Sequence, residues 1–327
     1  MDLHPEIIFD EFYIDNPHLQ HQWAKEHQVH IGEHWQRAIV EAQIALFEPE
    51  IIYEDDQVVF NPAFRAEMKS KYPFIKTIVA WDGFTGSSMD SFEHCDIILT
   101  CVQSILEKHA ALKRNVILIP FGFDVQKIES RHHAQRTNQI LFIGNLYPFH
   151  QKRLEILYAL AKRYDVSFYI GNFDRSISWI KIVNLLRQFP LRNIPKALYL
   201  YKNNKGAIYG KAMLDLYFRS TIALNVHGDQ NQEVGNMRLI EAAGCGACVV
   251  TDYFPNVQDY FEQDSEIVCF RNKEEALKKV DHLIKNKDNA ESIGSKAQQK
   301  VIQRYSFAHR VDFFLRVINS LIPQTHQ

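Results

Sequence analysis

In the segment NQEVGNMRLIEAAGCGACVVTD (residues 231–252), two glutamates, an arginine and an asparagine stand at spacings that suit the grip of a charged ligand. The apolar run TIALNV (221–226) reads as a strand, HGDQNQEVG (227–235) as a loop and residues 236–243 as a helix. In open α/β sheets ligands bind beyond the carboxyl ends of strands, where the first N–H groups of a helix lack intrahelical partners and face anions. Asn236 is a good N-cap, and Gly235 lets a ligand approach the backbone. Arg238 and Glu241, three apart, share a helix face. A diphosphate would suit that helix start, with Arg238 as a bidentate partner and Glu241 accepting from sugar hydroxyls. The same spacing also fits a plain surface ion pair between Arg238 and Glu241, worth only ~0.3 kcal/mol. Glycines at 244 and 246 supply the positive φ that stops the helix.

The elements that must hold this stretch follow an alternating pattern. Short β-branched runs at 50–54, 76–81, 96–100 and 115–120 alternate with amphipathic segments, among them EHWQRAIVEAQIALF (33–47), as expected for βαβ units and a parallel sheet. The polar, aperiodic segment 124–139 precedes a new strand, ILFIG (140–144), and the alternation then repeats through ACVVTD (247–252). The expected fold is α/β with two Rossmann-like domains, residues 1–130 and 131–305, followed by a C-terminal helix over 306–327 that could cross back to the first domain. The helical segment from 289 onward carries an apolar stripe at Phe307, Val311, Phe314, Leu315 and Ile318. With no glycine before Gly32, the first domain is expected to lack the opening βα unit with its tight glycine turn.

Composition narrows the partners. At 327 residues, 46% hydrophobic and 23% charged, the chain can bury two cores, and its formal charge of −2 gives no global attraction to nucleic acid. No apolar run approaches the roughly 20 residues of a transmembrane helix, and no basic head precedes an apolar stretch, which points to the cytoplasm. Five cysteines in apolar or small-residue surroundings make no disulfide framework; Cys245 and Cys248 form a CxxC at a helix end, where the dipole disfavours a thiolate. The histidines show no HExxH or paired-ligand spacing, so no metal site is expected.

Two further acidic strand ends need weighing. Asp82, in VAWDGFTGSS, would present a carboxylate at the interdomain cleft as a general base, or else serve an Asx-turn. Glu54, Asp55 and Asp56 end another strand and could be taken for a metal-binding acidic motif, although the residues that follow argue against it.

The spacing Glu233-x7-Glu241 opening a helix in the second Rossmann half resembles the group-1 glycosyltransferases of the GT-B fold. ALNVHGD, then GNMRLIEAAGCGACVVTDY, then FEQDSEIVCFRNKEEAL look like the spore-coat-maturation-type branch, and the likeness covers most of residues 140–310 in order. FIGNLYPFHQKRLEIL places His150 and Arg153 at that branch's His and Arg positions. Upstream, PHLQHQWAKEH, QIALFEPEIIYEDD and PFGFD are similar to its N-domain. The resemblance implies transfer of a sugar from a UDP- or GDP-type donor, with no obligatory cofactor or metal and with retained configuration. The acceptor would be a saccharide, a lipid-linked group or a protein, held by the first domain. The donor site would comprise Gly144, His150, Arg153, Gly171, Asn225, Glu233, Gly235, Asn236, Arg238 and Glu241, with Glu241, Asp82 and His227 serving catalysis. Arg153 would take the diphosphate and Glu241 the ribose; the branch tends to carry small residues at the position of Glu233. Two other readings are a non-catalytic nucleotide-sugar binder on a degenerate fold and a nicotinamide oxidoreductase, which would need a G-x-G-x-x-G the chain lacks.

Overall fold

The computed structural model describes residues 7–84, 86–129, 136, 138–173, 178–229 and 233–321. Asn231 and Gln232 of the loop before the candidate helix, residues 130–135 and 137 around the expected domain boundary, and 322–327 of the C-terminal helix lie outside them. Contacts divide the chain into two compact units, Met1–Pro120 with Val311–Gln327, and Phe121–Arg310. The sequence sets the division at 130/131; the contacts set it at Pro120 because Phe123 is buried in the second core and its N–H donates to the Tyr305 carbonyl at 2.7 Å.

The first unit contains α1 (Pro17–Glu26), α2 (Trp35–Phe47), β1 (Ile51–Glu54), α3 (Pro62–Lys71), β2 (Thr77–Trp81), β3 (Ile97–Thr100), α4 (Gln103–Ala111) and β4 (Val116–Leu118). Its strands pair in parallel in the order β1-β2-β3-β4. The central strands TIVAW and IILT are almost wholly buried, and parallel strands covered on both faces read as unbroken apolar runs. Asn16 and Asn61 cap α1 and α3 ahead of a proline at the first helical position, where the missing N–H costs nothing.

The second unit runs α5 (Gln126–Glu129), β5 (Asn138–Gly144), α6 (Gln151–Ala161), β6 (Val166–Ile170), α7 (Trp179–Arg187), α8 (Ile194–Asn203), α9 (Gly210–Phe218), β7 (Ser220–Asn225), α10 (Met237–Gly244), β8 (Cys248–Asp252), α11 (Val257–Tyr260), β9 (Val268–Phe270), α12 (Lys273–Lys285) and α13 (Lys287–Arg304). All five strands are parallel, in the order β6-β5-β7-β8-β9. One core, with Leu154, Phe168, Leu224 and Val250, and a second, with Leu141, Leu239, Ala243 and Val249, use alternate residues of the same strands. The fold is therefore α/β with two Rossmann-like units, as the alternation of elements implied.

Two details differ from the sequence expectation. Gly246, not Gly244, ends α10: it adopts φ +74°, its N–H donates to the Ala243 carbonyl (2.8 Å), and the Ala247 N–H donates to that of Ala242 (3.1 Å). That is a Schellman closure. The C-terminal segment is also not one helix. It breaks at Tyr305–Ser306, where Ser306 pairs with Phe123, and restarts as α14 (Phe307–Leu321) with the His309 N–H donating to Ser306 Oγ at 3.3 Å. From Val311 onward α14 belongs to the first unit, where Phe314 and Val317 pack with Val79, Ile97 and Leu99.

Candidate functional site

Strand order reverses between β5 and β7: β5 is followed by β6 on one side, and the chain then returns to lay β7 on the other. Loops leaving the carboxyl ends of strands at such a switch point diverge and leave a crevice. Arg153, in the first turn of α6, spans it. Its Nε donates to the Val226 carbonyl after β7 (2.8 Å), and its Nη1 donates to the Asn145 carbonyl after β5 (2.6 Å). Burial, then the nearby Arg238, lower its pKa to about 10, so it remains charged at neutral pH.

His150, the cap residue of α6, accepts at Nδ1 from the Tyr147 N–H (3.2 Å) and lies 3.0 Å from Arg153 Nη1. Burial, then the Arg153 charge, push its pKa down to about 4. The ring is therefore neutral, and with Nδ1 accepting, its proton sits on Nε2.

At the end of β8, Asp252 is 1% exposed and holds three groups. Its Oδ1 accepts from the His227 backbone N–H (3.1 Å) and faces His227 Nδ1 at 2.7 Å, while Oδ2 lies 3.3 Å from Lys152 Nζ. Burial alone would raise its pKa, but the His227 hydrogen bonds and the Lys152 charge hold it down at about 2. An ionised Asp252 fixes the proton of His227 on Nδ1 and leaves Nε2, fully buried, with no hydrogen-bond partner among the described residues. A polar atom buried without a partner costs about 1–3 kcal/mol and marks a place where a ligand can supply the missing bond.

The start of α10 is tied to the same strands. Asn236 Oδ1 accepts from the Leu239 N–H (3.0 Å), and its Nδ2 donates to Asn225 Oδ1 (3.1 Å). Asn225 in turn pairs with Thr251, whose hydroxyl donates to the Asn225 carbonyl at 2.7 Å. Asn256 clamps both the N–H and the carbonyl of Val234, each at 2.9 Å. Gly235 then turns the chain into the helix with φ +140°, a backbone state that side-chain-bearing residues avoid. Among the described residues no hydrogen bond engages the amides of Gly235, Asn236, Met237 or Arg238. At α6, by contrast, the carboxylate of Asp229 already accepts from the Lys152 N–H, at 3.0 and 3.2 Å. Of the two helix starts at the crevice, α10 is the one left open to an anion.

Arg238 and Glu241 do not form the surface ion pair that their spacing allows: no N···O distance within 4.0 Å joins them, and neither has another salt bridge among the described residues. Both are half-buried. Burial pushes the Glu241 carboxyl up in pKa, and Arg238 only partly opposes that. Glu241 lines a pocket of about 260 Å³ in the second unit with Phe121, Phe123, Lys127, Leu214 and Phe307.

The structure thus gathers His150, Arg153, Asn225, His227, Gly235, Asn236, Arg238 and Glu241 at the loops after β5, β7 and β8 or along α10. Gly144 ends β5 beneath this rim. Gly171, at the end of β6, leaves room for Asn145; a Cβ there would stand 2.8 Å from its Oδ1. Glu233 is half-buried beside the clamped Val234.

Asp82 is a correction. It lies in the first unit, 1% exposed, with Oδ2 3.0 Å from His109 Nε2 and Oδ1 3.4 Å from the Phe84 N–H. A carboxylate engaged on both oxygens inside a core is not presented to an acceptor. Glu54 pairs with buried Arg65 at 2.7 Å, and burial raises its pKa to about 7; Asp56 accepts from the Val58 and Val59 amides. Both serve the first unit's framework. Cys245 and Cys248 are buried, and burial lifts the Cys248 thiol to about 12.

Sequence reasoning preferred Arg153 to its neighbour Lys152 for the diphosphate and passed over Asp252 and Asp229. Asp252 carried one signal, a strand of buried apolar residues ending in a carboxylate at the rim. Lys152 and Asp229 carried none, because their roles depend on loops 77 residues apart.

Residues 155–316, just under half of the chain, match the family model described as Glycosyl transferase-like. No curated protein sequence matches the chain significantly. Among solved structures, sucrose-phosphate synthase from Thermosynechococcus elongatus aligns with TM-score 0.61 at 12% identity, over 87% of this chain and 77% of that one. Anabaena HepE in complex with UDP-glucose aligns with TM-score 0.63 at 14% identity, over 88% and 82% of the two chains. AviGT4, a glycosyltransferase involved in avilamycin A biosynthesis, aligns with TM-score 0.58 at 12% identity, over 88% and 79%. The protein shares the two-domain GT-B architecture of these structures, and its residues 155–316 are similar to a glycosyl transferase-like domain.

Proposed function

We propose that the second unit binds a nucleoside-diphosphate sugar at the β5–β7 crevice and that the enzyme transfers the sugar to an acceptor hydroxyl. The observation that carries this reading is the open start of α10: four amides and Arg238 that have no hydrogen-bond or ion-pair partner among the described residues, with Lys152 and Arg153 nearby. In this reading the diphosphate caps α10 and is gripped by Arg238 and Lys152. Arg153 acts from behind as a fixed positive charge, since its Nε and Nη1 are already engaged by carbonyls. Glu241 accepts from the ribose hydroxyls. His227 Nε2 accepts from a sugar hydroxyl, and His150 offers an Nε2–H to the phosphate.

As the bond from the anomeric carbon to the diphosphate oxygen breaks, its electron pair stays on that oxygen. Preorganised amides and cations are worth most where such charge develops. Because three protein cations supply the counter-charge, no metal is required in this proposal. The acceptor oxygen bonds to the anomeric carbon and its proton passes to the departing phosphate. Asp82 is left out as base because His109 and the Phe84 amide engage it. Retention of configuration, a UDP- or GDP-type donor, a saccharide, lipid-linked or protein acceptor, and placement in the spore-coat-maturation-type branch are carried by the sequence resemblance. The UDP-glucose complex of HepE supports the donor class by analogy of fold.

A thermal-shift screen across UDP-, GDP-, ADP- and dTDP-sugars, followed by an assay for released nucleoside diphosphate, tests the proposal. At least one donor should raise the melting temperature of the wild type but not of Arg238→Ala or Glu241→Ala. The proposal fails if no donor stabilises the protein, or if the same donor stabilises both variants equally.

A further inference from the structure

Residues 178–214 contain seven Lys or Arg and no Asp or Glu, in a chain that as a whole carries 37 basic and 39 acidic residues. At the chain's average density a stretch this long would carry about four acids (37 × 39/327). The stretch folds as α7, a short 3-10 turn at Leu191–Asn193, and α8, with Trp179 at the start of α7 stacked obliquely 6.0 Å from Tyr201 near the end of α8. The two helices therefore form a hairpin whose tip is Leu191–Arg192.

α7 is apolar on two sides. Ile182 and Leu186 enter the core, whereas Trp179 and Ile180 remain 59% and 72% exposed, and Leu191 at the tip is 85% exposed. Ile180 and Arg187, seven apart, lie on one face two turns from each other. Lys181, Arg187 and Arg192 are exposed, and none forms an ion pair among the described residues. Lys196 of α8 pairs with Glu155 of α6, but folding gains nothing from leaving three large apolar side chains exposed beside the three cations Lys181, Arg187 and Arg192, which have no ion pair among the described residues. A surface that is both negative and apolar a few ångströms down would satisfy both features.

We propose that the α7–α8 hairpin docks on an anionic lipid surface, with Trp179, Ile180 and Leu191 entering the headgroup boundary and Lys181, Arg187 and Arg192 held at the phosphates. Tryptophan favours that boundary, and each basic residue near an anionic leaflet adds roughly a fivefold gain in binding. None of the six side chains belongs to the donor site described above, so the inference stands whether or not the donor proposal survives.

The test is co-sedimentation of the full chain with phosphatidylcholine vesicles and with vesicles enriched in phosphatidylglycerol, alongside a single-stranded oligonucleotide titration. The wild type should bind the anionic vesicles and leave the neutral ones. Charge-removed K181S/R187S/R192S should bind them roughly a hundredfold more weakly, and apolar-removed W179S/I180S/L191S should also lose binding. Melting temperatures of both variants should match the wild type, because all six side chains are exposed. The proposal is overturned if the wild type does not prefer anionic vesicles, if either folded variant binds as the wild type does, or if the oligonucleotide binds and the vesicles do not.

Discussion

Asp252→Asn removes one charge from the most connected group of the site. The carboxylate is 1% exposed, and its pKa stands at about 2 against an ordinary 3.8. A shift of roughly 1.8 units corresponds to about 2.4 kcal/mol of preferential stabilisation of the ionised form in the folded state. The sign follows from the depression: the stabilisation is complete above pH 3.8 and disappears as pH falls through about 2. An asparagine can still accept from the His227 N–H and Nδ1 through its oxygen, but its amide then meets Lys152 Nζ as a second donor. Urea unfolding of wild type and Asp252→Asn at pH 7, 5 and 3 reads the effect. The variant should be about 2 kcal/mol less stable at pH 7 and pH 5, and the gap should shrink to roughly half at pH 3. A gap below about 0.5 kcal/mol at pH 7, the size of an ordinary surface substitution, or one of equal size at pH 3, would refute the ionic network as the source of the site's rigidity.

Three further outcomes are expected. Gly246→Ala places a Cβ at φ +74° and 2.9 Å from Arg136 Nη2, and should cost about 1–2 kcal/mol in thermal or urea unfolding. Asn236→Ala removes the α10 cap and its bond to Asn225; a loss of about 1 kcal/mol in stability should accompany weaker nucleotide binding. His150, neutral in the fold down to about pH 4, takes up a proton on unfolding below its ordinary 6.5. Stability should therefore fall as pH drops from 6.5 towards 4 and be flat above, and His150→Asn, which keeps an acceptor near Nδ1 and removes the titration, should flatten melting temperatures across that window.

Much of the donor side was legible because its signals are local. Asn236 as cap, a glycine in front of it and Gly246 closing the helix are all encoded within a dozen residues, and the alternation of apolar strands with amphipathic helices determines the parallel sheets. Whatever depends on chain partners far apart was not legible. Arg153 looks like a ligand-gripping arginine in sequence, yet its donors go to carbonyls 8 and 73 residues away. Asp252 gains its role only because the strand order puts β8 beside β7, within reach of His227. Asp82 reads as an exposed strand end because nothing in its neighbourhood reveals His109, 27 residues on. The break at Tyr305–Ser306 falls at the 305/306 domain boundary expected from the sequence, but its cause, the pairing of Ser306 with Phe123, leaves no mark in the segment.

The central claim is that the open start of α10 and Arg238 hold the donor's diphosphate. Calorimetric titration of UDP and GDP into wild type and Arg238→Ala, at one fixed salt concentration, tests it most directly. At least one of the two nucleotides should bind the wild type, and Arg238→Ala should weaken that binding roughly 10- to 100-fold while leaving the melting temperature of the free protein unchanged, as expected for a charge-assisted contact made only with ligand. Equal affinity of the two proteins for the same nucleotide would contradict the account.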